Sequence, residues 1–281
     1  MTGEALTAST DALRAAGIEE PRLDAELLLA EATGWDRARL AADSEAEIPP
    51  PAARRFGEMV RRRLRREPVA YILGRKGFRH LELAVDPRVL IPRPETEMLV
   101  ELALELRPAS VLDLGTGSGA IALAVAAELP DCAVTAADTS AGALEVARAN
   151  AERLGLAGRV RFLEGSLPPA EDFELILANL PYVAEADWPS LQPEVTEWEP
   201  REALLAGPDG LDAIRELLSG RVRVLSRYPR QNTNSVGGVV ALEVGEGQAA
   251  PVGAMLREAG FGSVEVRADL AGIDRVVIGR P

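Results

Sequence analysis

The 281-residue chain has little of what metal and redox chemistry usually needs: one cysteine, Cys132, and one histidine, His80. A lone cysteine can form no internal disulfide and no thiolate-rich zinc site, so nothing points to an oxidising compartment. Long apolar runs are also missing. None approaches the roughly 20 residues that a bilayer span needs. The N-terminal MTGEALTASTDALRAAG lacks the basic start and apolar core of a secretory signal. No membrane partner is therefore expected, and a cytoplasmic location is the default. Positive charge is in deficit, with 31 basic against 44 acidic residues and a net charge of −13. That balance excludes a protein that coats nucleic acid, although a local basic patch stays possible, and no stable nucleic-acid binding is expected.

What is present falls into two unlike parts. Up to about residue 68 the pattern is helical: Ala5, Leu6 and Leu13, then Leu23, Leu27 and Leu28 after Pro21, recur at three- and four-residue spacing, and Ala52 to Arg66 reads as a further helix. Residues 1–70 are expected to form a small helical domain. Residues 71–93, within a stretch from Val69 to Val89 carrying Gly74, Gly77 and the alternating Leu81, Leu83 and Val85, read as a hairpin-like connector. Over residues 94–281 short apolar strands alternate with helices. The strands are Ser110–Leu114, Ala133–Ala137, Val160–Leu163, Leu175–Ala178, Val239–Val244, Val264–Val266 and Arg275–Ile278. This alternation predicts an α/β domain with a doubly wound, mostly parallel sheet, whose ligands sit at the carboxyl ends of the strands.

The first of these strands ends in Asp113-Leu114-Gly115-Thr116-Gly117-Ser118-Gly119 and runs straight into a helix. Glycines there permit a tight turn and close approach of a ligand to the backbone, while the helix start supplies free N–H groups. Gly115, Gly117 and Ala120 also satisfy the dinucleotide fingerprint, and Asp138, ending the next strand, is placed to accept both hydroxyls of a ribose. Loop and acid thus indicate a nucleoside-carrying ligand without choosing between NAD and S-adenosylmethionine. Asn179-Leu180-Pro181-Tyr182, at the end of the fourth strand, chooses. A planar amino group is a poor nucleophile because its lone pair is delocalised. Two acceptors, the Asn179 side-chain carbonyl and the Leu180 main-chain carbonyl, can take its two N–H bonds and favour a pyramidal nitrogen aimed at a methyl donor. Pro181 stiffens the loop, and Tyr182 offers a flat face.

With these motifs the chain resembles the amino-group branch of class I S-adenosylmethionine-dependent methyltransferases. Ile91-Pro92-Arg93-Pro94-Glu95-Thr96-Glu97, Glu67 to Gly74, Glu199 to Leu204 and Asp269 to Arg275 make it similar to the release-factor glutamine methyltransferases (HemK/PrmC type) over nearly its whole length. The resemblance implies a seven-stranded methyltransferase sheet, S-adenosylmethionine as cofactor, and class I peptide chain release factors as protein substrate. The reaction it implies is methylation of the side-chain amide nitrogen of the glutamine in their Gly-Gly-Gln loop. It also implies that the helical domain recognises that substrate. By position, Gly115, Thr116, Gly117, Ser118, Gly119, Asp138 and Leu167 would hold the cofactor together with Asn179, and Asn179, Leu180, Pro181 and Tyr182 would hold the glutamine and carry catalysis; no metal is implied. Three departures stand out. Leu180 replaces the family's usual proline, as in ribosomal RNA adenine dimethyltransferases, which keeps an adenine amino-group methyltransferase acting on RNA or DNA as the alternative. Ser166 replaces a common acid, and Arg221 to Gly238 is longer than the usual turn.

Other prominent residues have plainer readings. The run Arg61-Arg62-Arg63-Leu64-Arg65-Arg66 suits a solvated helix end, or contact with an acidic partner or RNA. His80 sits away from any strand end. Trp188 and Trp198 flank the Asn179 loop and fit either a pocket wall or packing. Cys132 reads as a small buried residue.

Overall fold

Proline-initiated apolar stripes build the first part of the chain. The computed structural model describes residues 1–165, 173–220 and 238–281; Ser166, Leu167 and positions 221–237 lie outside the described residues. Helices α1 (Thr2–Ala15), α2 (Pro21–Thr33), α3 (Arg37–Ala42), α4 (Pro50–Leu64) and α5 (Val69–Leu73) come first. Pro21 opens α2 with its φ already helical, and Gly34, at φ 71°, closes it in the left-handed region. Leu6, Leu13, Leu28, Leu29, Phe56 and Met59 meet in one core. The helix expected over Ala52 to Arg66 starts two residues earlier, at the first of two prolines, and ends at Leu64. The expected connector is part helix: Val69–Leu73 forms one turn ended by Gly74 at φ 71°, and only then does a hairpin follow, β1 (Arg75–Phe78) with β2 (Leu81–Ala84).

The arginine run that closes α4 is not solvated throughout: Arg61 and Arg65 are exposed, but three of its members are paired within the protein. Arg63, 6% exposed, pairs with Asp24 at 2.6 Å and with Glu194 at 2.7 Å; Arg66 also pairs with Glu194, and Arg62 with Glu67. Glu194 belongs to α9 (Pro193–Thr196), far along the chain. The chain accordingly divides into two compact units, Met1–Arg75 with Gln192–Trp198, and Lys76–Leu191 with Glu199–Pro281.

In the second unit a 3-10 turn, Pro94–Thr96, leads into α6 (Glu97–Leu106). There follow β3 (Ser110–Leu114), α7 (Ala120–Glu128), β4 (Ala133–Asp138), α8 (Ala141–Arg153), β5 (Val160–Glu164), β6 (Leu175–Ala178), α10 (Asp212–Gly220), β7 (Val239–Glu243), α11 (Ala249–Glu258), β8 (Ser263–Ala268) and β9 (Asp274–Arg280). They form a seven-stranded sheet in the order β5-β4-β3-β6-β7-β9-β8. The first five strands in that order are parallel; β9 runs antiparallel to β7 and β8. The chain lays β4 and β5 on one side of β3 and then β6 on the other, which opens a crevice at the carboxyl ends.

Alternation along the strands feeds two cores. Val111, Leu175, Leu177, Val239 and Ala241 pack with residues of α6 and α7, whereas Leu112, Leu114, Ile176, Val240 and Leu242 pack with residues of α10 and α11. Both faces are covered by helices, as a parallel sheet requires. Among the described residues no helix is long and apolar enough to cross a membrane.

Candidate active site

The loop after β3 takes its shape from three glycines in the left-handed region, Gly115 at φ 69°, Gly117 at φ 55° and Gly119 at φ 85°, where a Cβ is disfavoured. Space is short as well. A Cβ on Gly115 would lie 3.3 Å from Leu180 Cδ2, and one on Gly119 would lie 2.9 Å from Leu123 Cδ1. The loop therefore passes close to the Asn179 segment before entering α7. Asp138, at the end of β4, fastens it: Oδ2 accepts the Gly117 N–H at 2.9 Å and Oδ1 accepts the Ser140 N–H at 2.9 Å. Each carboxylate oxygen still has a lone pair to offer, and Asp138 lines the adjacent cavity.

That cavity has a volume of about 280 Å³ and brings together most of the expected site. Gly115, Thr116, Gly117, Ser118, Asp138, Asn179, Leu180 and Pro181 border it. Gly119 does not; it caps α7. Tyr182 does not line it either. Its ring lies against Gly245, its main-chain carbonyl accepts from Gln248 at 2.9 Å, and burial pushes its hydroxyl up to about 12. His80 is exposed at the hairpin turn, Trp188 lies under Arg201, and Trp198 donates to the Arg65 carbonyl; none of them borders the cavity. Cys132 is buried, and its thiol is raised to about 11 by desolvation.

The motif around Ile91 to Glu97 forms the opposite wall through Pro92, Arg93 and Thr96. Glu199, buried, binds it from 108 and 106 residues away in sequence, taking the Ile91 N–H at 3.1 Å and the Arg93 guanidinium. Thr96 accepts a hydrogen bond from Asn179 Nδ2 at 3.0 Å, and among the described residues none is donated to Asn179 Oδ1. The Asn179 carboxamide is thus held by its nitrogen while its carbonyl oxygen is available on the wall of a cavity.

Several residues of this site have no role in the reading of the motifs. Asp113 is fully buried behind the loop, taking the Thr116 hydroxyl at 2.6 Å and the Ala122 N–H at 3.0 Å. Asn150 of α8 donates to Ser118 O and Ala84 O and accepts from Ala84 N. A trace of it was visible in sequence, since an asparagine on the apolar stripe of Ala143, Ala147 and Ala151 is a buried polar group in need of partners. Thr96 stands inside the Ile91 to Glu97 motif with no role read for it there, and Glu243, near the Thr96 hydroxyl, carries no such trace.

A glycine loop held in the left-handed region, beside a carboxylate with spare acceptor capacity, fits a nucleoside-bearing ligand on residues this structure describes. Comparison with known proteins narrows the ligand and the reaction. The PrmC N-terminal domain family matches residues 4–74, and the Methyltransferase small domain family matches residues 94–192. The Release factor glutamine methyltransferase of Caulobacter vibrioides is 42% identical over 98% of this chain and 95% of its own length. That of Geobacter sulfurreducens is 44% identical over 94% and 91%. Among solved structures, the catalytic domain of hMettl16 in complex with a MAT2A 3′UTR hairpin is similar with a TM-score of 0.56 at 15% identity, covering 70% of this chain and 74% of that one, a likeness of fold alone. With more than two-fifths of its residues shared with such relatives over nearly its full length, the chain belongs to the release factor glutamine methyltransferase family.

Proposed function

We propose that the chain methylates the side-chain amide nitrogen of the glutamine in the Gly-Gly-Gln loop of class I release factors, with S-adenosylmethionine as methyl donor. When bound, the donor supplies an electrophilic methyl group on a sulfonium. The glycine loop from Gly115 to Gly119 and Asp138 hold it, with Asp138 accepting from the ribose; Leu167 is assigned to the adenine by resemblance. The Asn179 carbonyl and the Leu180 main-chain carbonyl each accept one N–H of the target amide. Holding both bonds out of the amide plane localises the nitrogen lone pair and directs it, so catalysis is by positioning and by dipoles fixed in advance. No general base is required, because the amide nitrogen becomes strongly acidic on methylation and can lose its proton to water. Tyr182, assigned to the glutamine by resemblance, packs against Gly245 and supports the loop rather than bordering the cavity, and the helical unit recognises the release factor. A substrate that belongs to the translation apparatus supports a cytoplasmic location for the enzyme.

One observation carries this reading: the Asn179 carboxamide is tethered through nitrogen, with its oxygen free at a cavity that also contains the glycine loop. The alternative adenine substrate has less in its favour, given the net charge of −13 and the full-length relatives named for glutamine.

Single-turnover methylation of a purified release factor, read by mass spectrometry of the glutamine peptide, tests the reading. Asn179→Ala should be slowed by on the order of 100-fold with S-adenosylmethionine affinity little changed, as for loss of a contact made mainly in the transition state. Leu180→Pro should be nearly silent, because the main-chain carbonyl survives. Normal turnover by Asn179→Ala, or methylation of ribosomal RNA but not of release factor, would overturn it.

A further inference from the structure

A carboxamide is nearly symmetric in shape and asymmetric in chemistry: turned over, it presents N–H donors where it had a carbonyl. For Asn179 only one orientation serves an incoming amide N–H. Asn179 follows β6 and Glu243 ends β7, and the parallel register that pairs Ala178 with Leu242 sets the two side by side. Both continue the strand face of Leu175, Leu177, Val239 and Ala241, which packs with α6. Thr96, at the start of α6, meets both: Asn179 Nδ2 donates to Thr96 Oγ1 at 3.0 Å, and the Glu243 carboxyl lies near the Thr96 hydroxyl.

A hydroxyl has one proton to give. When Glu243 is ionised, the hydroxyl proton is directed to its carboxylate, the Thr96 oxygen is left as an acceptor, and only the NH₂ end of Asn179 can face it. Thr96 and Glu243 are 4% and 2% exposed, so water does not compete for these bonds. We propose that Thr96 and Glu243 are positioning residues that hold the Asn179 carboxamide with its carbonyl toward the target amide; the proposal rests on the reading of Asn179 as the acceptor.

Glu243 is poorly suited to a purely structural role. Its Oε2 is buried without a partner among the described residues, and desolvation pushes the carboxyl up to about 7, with Glu95 adding to the rise and Arg275 and Arg93 opposing it. A residue kept for packing alone would be apolar or fully bonded.

The test compares full-length Thr96→Val, Thr96→Ser, Glu243→Met and Asn179→Ala with wild type, by steady-state methylation of release factor, S-adenosylmethionine calorimetry and thermal melting. Thr96→Val and Glu243→Met should each lower kcat by about tenfold or more, with KM for release factor and cofactor affinity within about twofold. Thr96→Ser should restore most of the rate. Glu243→Met should melt at or above the wild-type temperature, since a desolvated carboxyl has been removed. Wild-type kcat in Thr96→Val overturns the proposal, and so does a Glu243→Met protein whose rate and melting temperature fall together. Asn179→Ala keeps the two claims apart: wild-type turnover there removes the acceptor assignment itself, whereas a slow Asn179→Ala beside fast Thr96→Val and Glu243→Met removes only the positioning role.

Discussion

Asp113 shows how much of the site's stability depends on protonation. Its Oδ2 joins Thr116 to the second residue pair of α7, but Oδ1 is buried with no partner among the described residues. Burial therefore outweighs the bonds from Thr116 and Ala122, and the carboxyl is pushed up to about 7. In the unfolded chain the same group titrates at about 4. Between those values the native state holds the proton that the unfolded state has released, so stability falls as pH rises through this window and is flat above it. Asp113→Asn keeps the acceptor for Thr116 and Ala122 and cannot ionise. Its melting temperature relative to wild type should climb from pH 5 to pH 8 and then level; a difference independent of pH would contradict the assignment. Glu243 is shifted in the same direction, so the Asp113→Asn protein should itself retain part of the slope.

At the scale of elements, α8 does more than cover the sheet. Asn150, completely buried, satisfies three main-chain groups at once, two on Ala84 of the hairpin and one on Ser118 of the glycine loop. Asn150→Ala would leave all three without their partner, at a cost of about 2–4 kcal/mol, and should weaken S-adenosylmethionine binding by loosening the loop; calorimetry and denaturant melts read both. The elements themselves are largely legible in the sequence. β3, β4 and β6 are short apolar runs ended by glycine, aspartate or asparagine, and α7 and α8 carry helical spacing between them. α5 is not legible as a helix, because five residues are too few to show a period of 3.6, and its end depends on Gly74. The site divides in the same way. Gly115 to Gly119, Asp138 and Asn179 announce themselves because each follows directly from a strand end. Thr96 and Glu243 do not, since Thr96 reaches Asn179 across 83 residues and no local pattern encodes a contact at that separation. The polar role of Arg63 is hidden for the same reason, its partners being on α2 and α9.

For the molecule as a whole, the division into units is not a division into consecutive stretches of chain. Gln192–Trp198 leaves the catalytic unit and is counted with the helices, where Glu194 is held by Arg63 and Arg66. Removing one partner from a buried ionic cluster leaves charge without compensation, which typically costs about 3–5 kcal/mol. Glu194→Ala should therefore lower the first melting transition and raise KM for release factor, while S-adenosylmethionine affinity stays within about twofold. If KM were unchanged in a partly melted helical unit, substrate recognition would have to reside elsewhere.

The same detour bears on synthesis. Domains made first usually fold first as the chain leaves the ribosome, yet here the N-terminal helices wait for a segment translated only after β3, β4, β5 and β6. Until Glu194 emerges, Arg63 has Asp24 alone for a counterion, and until Trp198 follows, the helical unit lacks its last piece. The nascent chain thus carries two unfinished units at once, and the helical one is completed only when the residues just beyond the active loop are made.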